Sequence, residues 1–253
     1  KMLAGYYAHI TALDGQLGRL LRFLDETSDP RAPDKRLAET TIVVFGSDHG
    51  DMLGSHGQYF KSQPHKESTG VPLIVRWPGR VPAGRCSDGP ISLVDLMPSL
   101  LSLSGVEIPP QAEGEDLAPF ILGDERRAQD SVWINFPVDV KIIHSPPFRG
   151  VVTRDHTYAV TREGPWCLLD NKQDPFQRSN LISWAARDSP EVVALQQKLQ
   201  EKVDAWLQRT SDPFETGDQV SDRYQPGHRD GVLPQVADEE FRSALQARRA
   251  SIE

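Results

Sequence analysis

Cysteine is nearly absent from this chain: Cys86 and Cys167 are the only two in 253 residues. They stand far apart and in no C-x-x-C pattern, which excludes a disulfide scaffold and a cysteine-based zinc site. They do not fix the redox compartment. Positive charge is also short, with 28 Lys and Arg against 36 Asp and Glu and a formal net charge of −8. That balance argues against non-specific nucleic-acid binding. No apolar run approaches the roughly 20 residues that a membrane span needs. Apolar residues at 38% and charged residues at 25% are ordinary for a globular protein. The length suits one large domain, or one domain with an appendage.

What is present begins with a helix. Leu3, Tyr6, Tyr7, Ile10, Leu13, Leu17, Leu20, Leu21 and Leu24 recur at spacings of three and four. Residues 2–26 are therefore expected to form an amphipathic helix whose apolar face is wide enough to need a partner surface. The pattern starts at Lys1-Met2-Leu3 with no start signal, cap or signal peptide. The chain is expected to begin inside a longer protein, and localisation stays open.

Further along, residues 29–39 are expected as a charged loop, 41–46 and 71–77 as strands, and 92–104 as a helix. Ser92 or Asp95 caps that helix, and Pro98 falls in its first turns, where proline costs least. A short helix follows at 117–121. The texture then changes. Residues 131–136, 149–154, 156–161 and 166–169 are short β-prone runs between turn residues, which predicts an antiparallel meander. Residues 190–208 carry Val192, Val193, Leu195, Leu199, Val203, Trp206 and Leu207 at helical spacing, as the buried side of a second amphipathic helix. Residues beyond about 210 are polar and expected to be extended.

The most informative stretch is Gly46-Ser47-Asp48-His49-Gly50, at the end of the apolar run Thr41-Ile42-Val43-Val44-Phe45. Such a run reads as a buried strand that delivers polar groups at its C-terminal edge, where open α/β sheets hold their chemistry. In a regular strand Asp48 and His49 would face opposite ways, but where the backbone turns both can converge on one ion. A hard carboxylate oxygen beside a borderline imidazole nitrogen suits Ca²⁺, Mg²⁺ or Mn²⁺, with further carboxylates supplied from elsewhere. An equally good reading has Asp48 capping its own backbone beside a surface histidine.

Residues 48–70 form a polar loop, long enough to suggest a function. Lys61 is a candidate anion clamp within it, the alternative being a solvated loop lysine. His56 and His65 flank Lys61 and read as loop or supporting histidines. Glu67 and Ser68 read as caps or packing residues, and Cys86 as inert.

Four blocks of these residues resemble the type I, formylglycine-dependent sulfatases. The stretch from Ser47-Asp48-His49-Gly50 through Gly54-Ser55-His56-Gly57, Lys61 and Glu67-Ser68 to Val71-Pro72-Leu73-Ile74-Val75 is similar to that family's second signature block. Tyr6-Tyr7-Ala8-His9-Ile10 through Leu20-Leu21 resembles the helix before it. Val94-Asp95-Leu96-Met97-Pro98-Ser99-Leu100-Leu101 resembles the helix after it. Leu168-Leu169-Asp170, Asp174-Pro175 and Asn180-Leu181 resemble a C-terminal element.

The resemblance implies an α/β fold: the C-terminal part of an alkaline-phosphatase-like sandwich over residues 1–130, a small antiparallel subdomain with a helix over 131–210, and a polar tail over 211–253. It implies a sulfuric ester hydrolase with Ca²⁺ (alternatively Mn²⁺ or Mg²⁺), of whose ligands Asp48 and His49 are two. It matches Lys61 to the family's sulfate-binding lysine, with His56 and His65 as accessory candidates. His144 and Arg149 are candidates for the pocket entrance.

The family's nucleophile, formylglycine, arises in a Cys/Ser-x-Pro/Ala-x-Arg motif that is expected to be absent here, as is the family's aspartate pair. The chain thus resembles only the C-terminal half, and by itself is expected to hydrolyse nothing. The N-terminal half would be its partner, either missing from this chain or supplied separately. Substrates implied are sulfate-ester small molecules or sulfated glycans. A phosphonate monoester hydrolase or phosphodiesterase of the same superfamily is the alternative, and a non-catalytic sulfatase-like scaffold is another.

Overall fold

A computed structural model of the chain describes residues 2–137, 145–183, 188–215 and 219. Helix α1 spans Met2–Glu26, as its periodicity requires. Only its last turns are packed: Leu24 is buried and Leu17 and Leu21 are half-buried, whereas Tyr7, Ile10, Leu13, Leu20 and Phe23 are exposed. The apolar stripe has no cover among the described residues.

The expected loop over 29–39 is instead an antiparallel hairpin, β1 (Ser28–Asp29) with β2 (Ala32–Arg36), running into a one-turn helix, α2 (Leu37–Thr40). Its cause is a buried carboxylate. Asp29 accepts from the backbone N–H of Arg31 at 2.8 Å, from the Arg31 Nε at 3.1 Å and from the Thr40 hydroxyl at 2.7 Å. Arg31 and then Thr40 hold this carboxyl well below the usual carboxylate range. A satisfied buried charge of this kind turns the chain where composition alone indicates only a polar loop.

Strands β3 (Val43–Gly46) and β4 (Leu73–Arg76) pair antiparallel, with Val43 opposite Arg76 and Gly46 opposite Leu73. Strand β3 is half-buried rather than buried. One face of the ribbon packs Ile42, Val75 and Trp77 against Leu103, Ala118 and Ile121. The opposite face leaves Ile74 58% exposed. The core residues come from helix α4 (Leu96–Leu103) and the single turn α5 (Ala118–Ile121). A 3-10 turn, Leu93–Asp95, leads into α4. Asp95 is more than a helix-start residue: it is buried and also accepts from the Glu115 N–H at 2.9 Å and the Gln129 amide at 2.7 Å.

The meander forms as the β-prone runs predict. Strands β5 (Ser131–Phe136), β6 (Phe148–Thr153), β7 (His156–Thr161) and β8 (Gly164–Asp170) make one antiparallel sheet in the order β5-β6-β7-β8. Alternation then separates two faces. Val151, Tyr158, Val160 and Leu168 meet Leu199 and Val203 of helix α6 (Pro190–Thr210). Phe148, Ala159, Cys167 and Leu169 form a second cluster. Burial pushes the Cys167 thiol up to about 12, so it is inert.

Helix α6 starts where Ser189 accepts from the Val192 N–H at 3.2 Å and Pro190 occupies the first turn. Val193, expected on the buried side, is 40% exposed, because it lies about 100° around the helix from Val192. Most of the expected polar tail over 211–253 lies outside the described residues.

Leu168 is fully buried between sheet and α6. Replacing it with Ala is expected to cost about 2–5 kcal/mol of stability, read from equilibrium denaturation. Val193→Ala is expected to change stability by no more than about 0.5 kcal/mol.

Candidate functional site

Strand β3 ends at Gly46, and the next residues form a tight polar turn. The Ser47 hydroxyl donates to the His49 carbonyl at 2.9 Å, and the His49 N–H donates to Asp48 Oδ1 at 3.0 Å. That second bond holds the Asp48 carboxyl below its ordinary value. Asp48 therefore does cap its own backbone, and the same turn brings its other oxygen to 3.5 Å from His49 Nε2. His49 Nδ1 lies 2.8 Å from the Gly50 carbonyl. A carbonyl only accepts, so Nδ1 carries the proton and Nε2 offers a lone pair.

Two electron-pair donors thus face each other across 3.5 Å, Asp48 well exposed and His49 partly so. A cation about 2.4 Å from each would subtend an angle of roughly 90°, which suits a hard divalent ion. The pair fits part of a metal centre and no more. Among the described residues, no group of three or more His, Cys, Asp or Glu is arranged to hold a metal.

Gly50 fixes where this turn sits. Its N–H donates to the Ser68 carbonyl at 2.8 Å. A Cβ added there would lie 1.9 Å from the Glu67 carbonyl oxygen, so only glycine allows the approach. Residues 48–50 are thereby seated on α3, the single turn Lys66–Thr69. The segment expected as an open loop is in fact folded around this contact.

The intervening chain presents Lys61. The Met52 N–H donates to Phe60 O at 2.6 Å and the Gly54 N–H to Gln58 O at 2.8 Å, forming a tight reversal above the fully buried Met52. Phe60 and Ser62, on either side of Lys61, both have left-handed backbone, with φ of 67° and 76°. Each costs about 1–2 kcal/mol in a non-glycine residue, and such strain gathers at functional sites.

His56 and His65 stack with ring centroids 4.2 Å apart, and His56 Nε2 lies 3.5 Å from Glu67 Oε1. His65 Nδ1 and Glu67 Oε2 are buried without a hydrogen-bond partner. Burial, and then the neighbouring His56, push the His65 imidazole down to about 4, against the opposing pull of Glu67.

Asp48, His49, Lys61 and Lys66 line one side of a cleft of 1620 Å³, and Trp133 and Asn135 of β5 line it as well. His56 and His65 do not line this cleft. Arg149 does not stand at an entrance either. It is buried, paired to Asp212 and stacked over Phe214 at 4.8 Å. His144 lies outside the described residues.

Sequence reasoning missed Gln177. It is buried in a left-handed turn, accepts from the Lys66 N–H at 2.6 Å and donates to Asn171 Oδ1 at 2.7 Å. It ties α3 to the four-stranded sheet. A lone glutamine offers no sequence signal for that role.

The expected absence of the nucleophile pattern is corrected by two matches to its serine form, Ser145-Pro146-Pro147-Phe148-Arg149 and Ser183-Trp184-Ala185-Ala186-Arg187. Ser145 is buried, donates to the Ser62 carbonyl and does not line the cleft. Residues 184–187 lie outside the described residues. Ser183 is exposed in a turn closed by its N–H to Asn180 O at 3.0 Å, and it does not line the cleft.

The chain is similar to known proteins along most of its length. The profile described as "N-sulphoglucosamine sulphohydrolase, C-terminal" matches residues 54–209, and the sulfatase profile matches residues 1–106. The chain belongs to the sulfatase family. An ulvan-active sulfatase from Formosa agariphila is 36% identical over 226 residues, covering 88% of this chain and 42% of that protein. An N-acetylglucosamine-6-O-sulfatase from Bacteroides thetaiotaomicron is 29% identical, covering 80% of this chain and 36% of its own length.

Among solved structures, a complex with its substrate D-glucosamine-2-N,6-O-disulfate superposes with a TM-score of 0.69 at 27% identity, over 81% of this chain and 40% of that one. The sulfatase chain described here thus spans less than half the length of these relatives. Its fold is the corresponding part of the alkaline-phosphatase-like sandwich with its small antiparallel sheets.

Gly50→Ala is expected to cost more than 1 kcal/mol, because backbone rather than a flexible side chain must move. Gly15→Ala on α1, with nothing near its Cβ position, is expected to stabilise by about 0.5–1 kcal/mol. Thermal denaturation of the two variants checks both.

The His65 shift sets a pH window. The unfolded chain takes up its proton near 6.5 and the folded chain only near 4, so in between the unfolded state binds more protons and stability falls as pH falls. Urea midpoints of the wild type are expected to drop over that window, and those of His65→Phe to drop less.

Proposed function

We propose that this chain carries the C-terminal share of a sulfuric ester hydrolase site, with Asp48 and His49 holding a divalent cation and Lys61 binding the sulfate group. The carrying observation is the convergence of Asp48 and His49 beside the same cleft as Lys61, in a member of the sulfatase family. A bound cation would supply charge neutralisation of the sulfate oxygens. His49 would offer its Nε2 lone pair to it, oriented by the Nδ1 proton on the Gly50 carbonyl. Asp48 contributes a hard oxygen, and its lowered affinity for protons keeps it anionic at neutral pH. The Lys61 ammonium holds sulfate oxygens and stabilises the charge that develops on them. We assign the nucleophile to no described residue of this chain.

Ca²⁺ is the expected ion, with Mn²⁺ or Mg²⁺ as alternatives, and formylglycine is the expected nucleophile of the whole protein. Residues 1–130 would form its share of the catalytic domain and 131–210 the subdomain that closes the cleft. Sulfated glycans are the proposed substrate class, supported by the relatives named for ulvan and for N-acetylglucosamine-6-O-sulfate. A phosphonate monoester hydrolase of Agrobacterium radiobacter shares the fold at 24% identity and a TM-score of 0.63, which speaks to the fold alone.

The test is sulfate release by the protein expressed from its complete reading frame. Lys61→Ala is expected to lower kcat/KM by about 10²–10³-fold. Chelation is expected to abolish the activity, and added Ca²⁺ to restore it. Faster turnover of a phosphonate monoester than of a sulfate ester would overturn the assignment. So would full activity in Lys61→Ala.

A further inference from the structure

We propose that the stacked pair His56 and His65, steadied by Glu67, is a positioning device for Lys61. This rests on the reading of Lys61 as the sulfate anchor and assigns to the two histidines a task that does not require them to touch substrate. His56 and His65 bracket Lys61 in the chain, and their rings meet at 4.2 Å. The contact therefore closes the base of the loop at whose tip Lys61 stands.

The loop needs such a clamp because its tip is strained. Phe60 and Ser62, the immediate neighbours of Lys61, are both left-handed. A loop free at its base would relax these two residues and swing the lysine away from the cleft. The remaining contacts act on the same element. Gln63 N–H donates to Ser68 Oγ at 3.2 Å, and Ser145 of the C-terminal unit donates to the Ser62 carbonyl.

Glu67 belongs to the device by two observations. Its Oε1 faces His56 Nε2 at 3.5 Å. Its backbone carbonyl is the surface on which Gly50 rests. The residue that steadies the histidine stack thus also seats the Asp48-His49 turn. The cluster sets Lys61 and the metal-facing pair relative to one another, rather than serving either alone. Its polar atoms are poorly satisfied for a purely structural element: His65 Nδ1 and Glu67 Oε2 are buried without partners. A core built only for stability would replace them with apolar groups.

The experiment is a double-mutant cycle on the protein expressed from its complete reading frame. The readouts are kcat, KM and the inhibition constant of inorganic sulfate with an aryl sulfate as substrate. His65→Leu, which removes the stacking face, is expected to weaken sulfate inhibition and raise KM about tenfold. His65→Phe, which keeps an aromatic face, is expected to remain near wild type. In a Lys61→Ala background, His65→Leu is expected to change neither constant further, because the group it positions has gone.

Additive effects of the two substitutions would overturn the proposal, and so would His65→Phe behaving as badly as His65→Leu. If His65→Leu does not fold, the comparison moves to His56→Phe and His65→Phe, and loss of sulfate inhibition in both folded variants would equally overturn it. Failure of the underlying reading is separable: Lys61→Ala alone would then leave sulfate inhibition unchanged.

Discussion

The site depends on one close backbone approach. Gly50 lies so near α3 that no side chain fits between them, and its N–H is spent on the Ser68 carbonyl. Everything polar in the region is referred to that contact. The Asp48-His49 turn lies on one side of it. The Lys61 loop returns to it through the histidine stack. Gln177 brings the four-stranded sheet to it through the Lys66 N–H. A site assembled from separate segments needs a rigid reference, and backbone seated on backbone is stiffer than any pair of long side chains.

The remainder of the fold serves to hold the segments around that reference. One face of the β3–β4 ribbon packs on α4 and α5, while the C-terminal sheet packs on α6. The two units are joined by polar links at their margins, such as Lys202 to Asp130 at 2.6 Å and Arg209 to Glu115 at 3.1 Å. Surface links of this kind contribute little to stability. The cleft between the units is therefore shaped by packing on either side and kept open between them.

Elements governed by periodicity were legible in the sequence. Helix α1 and strands β5 and β7 begin and end where the apolar pattern does, because a regular face against a core is all that defines them. Elements governed by particular polar partners were not. The hairpin at Ser28–Arg36 exists because Asp29 is buried and satisfied by Arg31 and Thr40, and no periodicity announces that. Strand β3 was readable as a strand but not as half-buried, because burial depends on what covers the ribbon's second face. At the site, the types and order of Asp48, His49 and Lys61 pointed to chemistry. The roles of Gly50, Glu67 and Gln177 follow from distances alone.

The measurement that tests the account most directly is a crystal structure of the protein, produced from its complete reading frame with Ca²⁺ and inorganic sulfate. The account predicts a cation bound by Asp48 Oδ2 and His49 Nε2 at roughly 2.4 Å, with a sulfate oxygen in hydrogen-bond reach of Lys61 Nζ. A cation bound elsewhere with Asp48 and His49 unligated would contradict it, as would sulfate bound away from Lys61.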